Sequence, residues 1–436
     1  MCSYRIGVIG AGYVGLTTAA CFARLGHRVV CTDIDESKVN ALRRGTVSAR
    51  EPGLSELVVE GLRAGRLTFV AENPPALTGS DMVFLCLPTP SGDDGAADLR
   101  AVHSVVHEAR DLLAPECVVV IKSTVPAGTT DLVQESLARP DVAVVNNPEF
   151  LREGHAVEDF LRPQRVVVGS HSEQPARRVV ELYADSGAPA VLMTPRSAEL
   201  VKYASNCFLA MKLSYVNTLA ELCERIGADI DDVTEGMRYD DRIGSAFLAP
   251  GPGWGGSCLP KDTRALLSTA HSADVDFPLL SATIGTNSHQ QDRIARRVRE
   301  LTTGSPRGSL AGVRIGMLGL TFKAGTDDLR DSPALAVARL LAADGAELTG
   351  YDPCVPRSSR FTGPVEVVDS PHHAAEGASA LVVLTEWPEF SELDWPRLAR
   401  EVRNPVVLDT RNVLAPKVLR EAGFQLHGLG RPAAAH

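Results

Sequence analysis

Short apolar runs alternate with helix-length segments along most of the chain. Tyr4 to Ile9, Arg28 to Thr32, Asp81 to Leu87, Cys117 to Lys122, Val142 to Val145, Arg165 to Gly169 and Ala190 to Met193 all have strand length and are rich in apolar residues. Continuous runs of this kind, separated by helical segments, predict parallel strands buried on both faces and joined by crossover helices. The pattern changes at Thr194-Pro195, a capping residue followed by proline at a first helical position. No further glycine or proline occurs until Gly227, which predicts one helix of roughly 30 residues, about 45 Å long. Further helices are expected over Lys261 to Ala270 and Pro278 to Leu301, and a Gly/Ser/Pro-rich linker over 302–309. Strand-length runs then resume at Val313 to Leu318, Glu347 to Tyr351, Ala380 to Leu384 and Val406 to Leu408.

The expected fold class is therefore α/β: two doubly wound, Rossmann-like domains joined by a long central helix and a helical dimerisation region. The expected boundaries are 1–194, 195–301 and 302–436. A helix of that length exceeds what one small domain needs, so it is expected to bridge domains and to pack against its copy in a homodimer or larger homo-oligomer.

Charge and cysteine usage narrow the partners. The formal net charge of −10 argues against binding to a nucleic-acid backbone. No apolar run reaches the roughly 18 residues that span a bilayer, so no membrane partner is expected. Met1-Cys2-Ser3-Tyr4-Arg5 leads straight into a strand without a signal-peptide pattern, and the nine cysteines include no CxxC pair. A cytoplasmic, reduced protein without a metal site is expected.

The first strand runs into Gly10-Ala11-Gly12-Tyr13-Val14-Gly15, and a helical pattern from Leu16 to Leu25 follows. This is GxGxxG in the strand-to-helix context that a dinucleotide site requires. Asp33 ends the second strand 18 residues after Gly15. A carboxylate there accepts hydrogen bonds from the adenosine ribose and repels a 2′-phosphate, so NAD is expected in preference to NADP. Three further strands end in polar loops, PTP at 88–90, STVPAGT at 123–129 and NPEFLREG at 147–154. Ligands bind at that edge of such a sheet, although Ser123 or Thr124 before a helix is more often a cap.

Lys202 and Asn206 lie four apart and share a helical face; alone, Lys202 is more often a surface lysine with its stem laid on apolar neighbours. In Gly253-Trp254-Gly255-Gly256-Ser257-Cys258-Leu259-Pro260-Lys261-Asp262 a thiol stands among glycines with a cation and an acid just downstream. A loop cysteine beside a cation can serve as a thiolate nucleophile, although an isolated cysteine in a turn is more often simply buried.

The ordered set GAGYVG, CLPTP, STVPAGT, NPEFLREG, KYASN, GPGWGGSCLPKD, FKAGTDDLRDSP, YDP, TEW and DTRN resembles the UDP-glucose/GDP-mannose dehydrogenase family over nearly the whole chain. The resemblance implies a four-electron oxidation of a nucleotide sugar's primary alcohol to a carboxylate, with two NAD per sugar. TEW, DTRN and Gly428-Leu429-Gly430-Arg431 resemble the UDP-glucose branch, so UDP-glucose is the implied substrate; GDP-mannose and UDP-N-acetylhexosamines are the alternatives. By resemblance, Cys258 is the nucleophile that forms a thiohemiacetal and then a thioester. Lys202 and Asn206 stabilise the oxyanion, Asp262 assists proton transfer through water, and Thr124 and Glu149 activate water. The positions tied to NAD are Lys38, Thr89, Thr124, Glu153 and Arg330, beside Gly10, Gly12, Tyr13, Val14, Gly15 and Asp33. Those tied to the nucleotide sugar are Glu149, Phe150, Leu151, Lys202, Asn206, Arg242, Phe247, Gly255, Cys258, Phe322, Lys323 and Arg411, with Arg242 reaching across a dimer. Trp254 departs from the smaller aromatic usual in relatives, which bears on sugar-nucleotide tolerance.

The presence of Lys202, Asn206, Cys258 and Asp262 in one chain argues against two rivals. A two-electron 2-hydroxyacid or 3-hydroxyacyl dehydrogenase needs the dinucleotide unit but neither Cys258 nor a second α/β domain. A non-catalytic nucleotide sensor needs Asp33 and the glycines but not Lys202, Asn206, Cys258 and Asp262.

Overall fold

The computed structural model describes residues 3–92, 95–357 and 363–432; Met1 and Cys2 lie outside the described residues. The chain divides into two compact units. Unit 1 runs from the start of the chain to Ser205 and adds Arg264–Val275; unit 2 holds Asn206–Thr263 and the chain from Asp276 onward.

Unit 1 is built on eight strands: β1 (Arg5–Ile9), β2 (Arg28–Thr32), β3 (Leu67–Val70), β4 (Met82–Leu85), β5 (Val118–Ile121), β6 (Ala143–Asn146), β7 (Val166–Gly169) and β8 (Ala190–Met193). Their order is β3-β2-β1-β4-β5-β6-β7-β8, so the first six follow the doubly wound order, with the switch point between β1 and β4. β1 is in register with both β2 and β4, and Val8 stands opposite Cys31 on one side and Phe84 on the other. Helices cover both faces, which is why β4 and β5 are buried at every position. On one face the Phe22 ring packs tilted against Phe84 and edge-to-face against Phe160, with centroids 5.0 Å apart in both pairs.

The sheet departs from the expected all-parallel arrangement at one joint. β7 pairs with β6 antiparallel, through Asn146 and Gly169 alone. The connection spends its length on the 147–154 loop and a six-residue helix, Ala156–Leu161, at the carboxyl edge of the sheet. No crossover helix returns the chain along the sheet, so β7 starts beyond that edge and runs back toward it.

Unit 2 holds a six-stranded sheet of β9 (Arg314–Leu318), β10 (Glu347–Tyr351), β11 (Val365–Val367), β12 (Ala380–Val383), β13 (Val406–Asp409) and β14 (Gln425–Gly428). Its order, β11-β10-β9-β12-β13-β14, repeats that of the first six strands of unit 1, and each adjacent pair is parallel.

The central helix is Pro195–Ile226, 32 residues, and the boundary between the units falls within it, as it does within the helix Leu259–Ser272. A second long helix, Pro278–Thr303, belongs to unit 2. Asp229 caps the helix Ile230–Arg238, its side chain accepting from Asp231 N–H, as expected for an acid at a helix start. Among the described residues no helix is long and apolar enough to cross a membrane.

Candidate active site

In unit 1 the glycine turn has the shape a pyrophosphate needs. Gly10 has φ +97°, and a Cβ there would lie 2.5 Å from the Cys86 carbonyl oxygen. A Cβ on Gly15 would lie 1.8 Å from the Gly10 oxygen, so the helix starts hard against the turn. Gly12, by contrast, has open space where its Cβ would be. It precedes the helix Tyr13–Arg24 and supplies no side-chain cap, so Tyr13 and Val14 open that helix with N–H groups directed at an approaching anion. Asp33, just past β2, accepts from Ala11 N–H at 3.0 Å and Asp35 N–H at 3.1 Å, and pairs with Lys38 Nζ at 2.7 Å. Burial works to raise the Asp33 carboxyl, but the Lys38 ammonium and the backbone donors together hold it below the usual carboxylate range. An open cradle at a helix N-terminus with an ionised acid beside it fits NAD.

The next two strand ends meet. Thr89, after β4, donates from Oγ1 to the Thr124 carbonyl, after β5, at 2.9 Å. Ser123 is not a cap: its hydroxyl bonds the Leu85 and Leu87 carbonyls, and the following helix starts only at Thr129.

After β6, Glu149 and Lys202 form an ion pair of 2.9 Å with both side chains buried. Lys202 is thus no surface lysine. Burial alone raises the Glu149 carboxyl, but the Lys202 charge, its hydrogen bond and the Leu151 N–H at 2.6 Å carry it below its ordinary value. Phe150 is held on its ring face, with the Arg165 guanidinium 3.8 Å and Lys202 Nζ 5.4 Å from the centroid. Leu151 and Glu153 are half-buried along the same loop.

In unit 2, Cys258 stands immediately before the helix Leu259–Ser272, and its carbonyl accepts from Asp262 N–H at 2.9 Å. The thiol thus stands at the N-terminal end of a 14-residue helix. Ser257 Oγ lies 3.6 Å from its sulfur. One turn along, Asp262 is buried; Asn206 Nδ2 donates to one carboxylate oxygen and Lys261 Nζ to the other, both at 2.6 Å.

The glycines of this loop are demanded by packing. A Cβ on Gly255 would lie 2.0 Å from the Asp331 oxygen, and one on Gly256 2.7 Å from the Phe322 ring. The loop is thereby pressed onto the 319–332 segment that carries Phe322 and Lys323. Arg411 lies against the same segment, donating to the Phe322 carbonyl at 3.2 Å and to the Leu384 carbonyl at 3.0 Å, and pairing with Glu386 at 3.1 Å. The Trp254 indole is buried and donates to Ser214 Oγ at 2.9 Å, while Asn287 Oδ1 takes its backbone N–H at 2.8 Å.

Two arginines each fork onto an acid two residues before them in the chain. Arg242 forks onto Asp240, two residues away in its own chain, and is exposed. Arg330 forks onto Asp328 in the same way. Phe247 holds φ +61° on the loop after Arg242, where Lys212 Nζ donates to the Ile243 and Ala246 carbonyls at 3.0 and 2.6 Å.

Several residues that hold the site carried no motif. Asn217, Asn287 and Gln290 project from the two long helices to bond backbone atoms of Gly251 and Trp254 at 2.7 to 2.9 Å. Their sequence signal is an uncharged amide recurring on the buried face of a long helix.

Models of the UDP-glucose/GDP-mannose dehydrogenase family match in three pieces: its NAD binding domain over 4–186, its central domain over 196–289 and its UDP binding domain over 316–416. The UDP-glucose 6-dehydrogenase of Rhizobium meliloti is 45% identical over 439 residues, covering 98% of this chain and 100% of the relative. The solved UDP-glucose dehydrogenase of Pyrobaculum islandicum superposes with a TM-score of 0.89 at 38% identity, covering 99% of this chain and 98% of that one. A UDP-D-ManNAc dehydrogenase of Pyrococcus horikoshii gives a TM-score of 0.87 at 30% identity, covering 98% and 99%. The chain therefore belongs to the UDP-glucose/GDP-mannose dehydrogenase family, with that family's NAD-binding domain in its first part and its UDP-binding domain in its last.

Proposed function

We propose that this chain oxidises UDP-glucose to UDP-glucuronate in two NAD-dependent steps, with a covalent sugar adduct on Cys258 between them. The choice of UDP-glucose is supported by the full-length relative from Rhizobium meliloti and by TEW and DTRN in this sequence. The observation that carries the covalent step is a partly accessible thiol at a helix N-terminus, one turn before a buried carboxylate hydrogen-bonded to an amide.

NAD is held by the Gly10–Gly15 turn, Asp33 and the Thr89 and Thr124 edge, and when bound it supplies the hydride acceptor for both oxidations. The first product is an aldehyde, which has no easy route to further hydride loss until a nucleophile adds. Cys258 sulfur attacks that carbon, forming a C–S bond and turning the carbonyl oxygen into an oxyanion. The Asn206 amide and the Lys202 ammonium are donors of the kind that stabilise such charge. Loss of the second hydride leaves a thioester. Water, deprotonated by Glu149 with Thr124, then adds, the C–S bond breaks, and Cys258 leaves as thiolate while the sugar leaves as carboxylate. Asp262 holds the proton exchanged at the sugar oxygen through water. Glu149 suits a base because Lys202 keeps it ionised. The nucleotide sugar is assigned to Phe150, Leu151, Phe247, the Gly255 loop, Phe322, Lys323 and Arg411, whose cations match a diphosphate.

The domain limits 1–194, 195–301 and 302–436, and a cytoplasmic setting that keeps the thiol reduced, belong to the same proposal. So does a homodimer, in which Arg242 serves the partner. Phe208, Tyr215 and Leu222 recur every seven residues on the central helix and are 57%, 55% and 48% exposed. An apolar row with that period fits a second copy of the same helix.

The test is NADH formation with UDP-glucose, UDP-N-acetylhexosamines and GDP-mannose, together with Cys258→Ala. The expected outcome is two NADH per UDP-glucose in the wild type and no uronic acid from the variant, which still binds NAD. Efficient use of GDP-mannose with none of UDP-glucose overturns the substrate. Uronic acid formation by Cys258→Ala at near the wild-type rate overturns the covalent step.

A further inference from the structure

Glu51 lies outside every motif above, on a short loop before the helix Leu54–Arg63, yet it is 7% exposed. Its carboxylate joins two segments far apart in sequence. Oε2 accepts the Tyr13 hydroxyl and, at 2.8 Å, the Gly154 N–H; Oε1 faces Val157 N–H at 3.4 Å. The Gly154 N–H also reaches the Tyr13 hydroxyl oxygen at 3.1 Å, which closes a three-membered hydrogen-bonded ring. The backbone of Glu51 is pinned as well, its carbonyl accepting Leu54 N–H at 3.2 Å.

The two segments are the ones on which unit 1 depends. Tyr13 opens the fingerprint helix beside Gly12. Gly154 directly follows Glu153, ends the loop that bears Glu149, Phe150 and Leu151, and sits at φ +82°, a conformation that suits glycine. Burial, and then the hydrogen bond to Glu51, raise the Tyr13 phenol well above its ordinary value, so it stays a donor.

We infer that Glu51 is a positioning residue: through Tyr13 and Gly154 it fixes the Glu149–Glu153 loop against the glycine turn, so that the NAD-binding and sugar-binding elements of unit 1 are ordered together. This rests on the assignment of NAD and a UDP-sugar given above. A buried carboxylate shared by one phenol and two backbone donors is a tight tether, because hydrogen bonds to a charged acceptor are the stronger kind. Replacing it with an amide exchanges one acceptor for a donor facing two donors.

The experiment measures KM for NAD and for UDP-glucose, kcat and Tm for the wild-type chain, Glu51→Gln, Tyr13→Phe and the double variant. Glu51→Gln is expected to raise both KM values about tenfold, the usual effect of one lost charged hydrogen bond, with a smaller change in kcat. The double variant is expected to be no worse than Glu51→Gln, since both changes break one ring. Unchanged KM values, whatever Tm does, overturn the inference, as do effects that simply add. If Glu51→Gln does not fold, Tyr13→Phe, which leaves the carboxylate on Gly154, decides by the same KM criterion. A wild type that makes no NADH from any nucleotide sugar defeats the parent proposal instead. Titration of NAD against wild type and Glu51→Gln then decides the tether alone, and equal affinities overturn it.

Discussion

The two sheets of this chain begin with the same device and use it differently. In each, a glycine at positive φ follows the first strand, Gly10 at +97° after β1 and Gly319 at +92° after β9. Each donates its N–H to the carbonyl ending the second strand, Thr32 at 2.9 Å and Tyr351 at 2.8 Å. In each an acid comes next, and it accepts the N–H of the residue after that glycine: Ala11 to Asp33 at 3.0 Å, Leu320 to Asp352 at 2.8 Å. There the likeness stops. In unit 1 the helix starts three residues after the glycine, at Tyr13; in unit 2 the chain wanders from 319 to 332 before the helix Pro333–Ala343. Beyond that N–H, Asp33 takes the Asp35 N–H and a half-buried lysine, and the lysine is a partner that a ribose hydroxyl can replace. Asp352 is 3% exposed, and one of its oxygens also takes Thr321 N–H, the Thr321 hydroxyl and the Trp387 indole. An acid at the end of the second strand is therefore a ribose ligand only when its other donors can leave.

The largest expected effect comes from exchanging those two acids for neutral residues. Asp33→Ser removes the charge that repels a 2′-phosphate, so the kcat/KM preference for NAD over NADP should fall about a hundredfold, with Tm nearly unchanged. Asp352→Asn should do the reverse. It leaves buried donors without their shared acceptor, which costs about 3 kcal/mol of stability by denaturant unfolding, while the KM for NAD stays put. Equal loss of stability in both variants would erase the distinction.

The comparison extends to two buried carboxylates served by the central helix, Glu149 by Lys202 and Asp262 by Asn206. Lys202→Met strands the Glu149 charge in the interior and should cost about 3 kcal/mol at neutral pH. The sign of its pH dependence follows from the shift. In the wild type Glu149 is depressed, so the stability it contributes is present above the unfolded carboxylate range and is lost as pH falls through the lower folded value. Without Lys202, burial, the largest influence, is opposed only by the Leu151 N–H and the Lys122 charge, so the carboxyl rises and protonation relieves the stranded charge. Chemical unfolding of both proteins between pH 8 and pH 5 should therefore show the penalty shrinking toward acid. A penalty that is constant with pH would assign it to packing instead.

How much of this was legible depended on whether a feature repeats along the chain. The buried strands, both long helices and the Gly10–Gly15 turn were legible because continuous apolar runs, helical spacing and turn glycines are local signals. β3, β11 and β14 were not, because they are short edge strands; LTFV alternates buried with exposed and offers no continuous run. The antiparallel β6–β7 joint was hidden because a one-residue pairing leaves no pattern. The pairs Glu149–Lys202 and Asn206–Asp262 join residues more than fifty positions apart; the helix spacing put Lys202 and Asn206 on one face but named neither partner. Glu51 was silent for the same reason, since an acid before Pro-Gly reads as a surface turn until Tyr13 and Gly154 are brought to it. The resemblance ties Gly255 to the substrate, and the close approach of the Asp331 oxygen, which no sequence pattern announces, adds a packing reason for a glycine there.

The smallest effect sharpens the comparison furthest, because it needs three glycines that look alike in sequence. Gly10→Ala and Gly319→Ala both place a Cβ in a left-handed backbone, 2.5 Å from the Cys86 oxygen in one case and 2.4 Å from Thr385 Cβ in the other. Both should destabilise by more than the usual ~1 kcal/mol of a point change, and neither can report on the ligand alone. Gly12 differs: its φ is −67° and its Cβ would meet nothing within 4 Å. The fold should accept Gly12→Ala with Tm almost unmoved, since alanine tolerates that backbone. Yet that open space is where a pyrophosphate must approach the first N–H groups of the helix, and a methyl group there holds it off. KM for NAD should rise about tenfold, the scale of one weakened charged hydrogen bond, with KM for the sugar nucleotide little changed. A Gly12→Ala enzyme with wild-type KM for NAD would mean that the dinucleotide does not use this turn, and the contrast between the two sheets would lose its functional side.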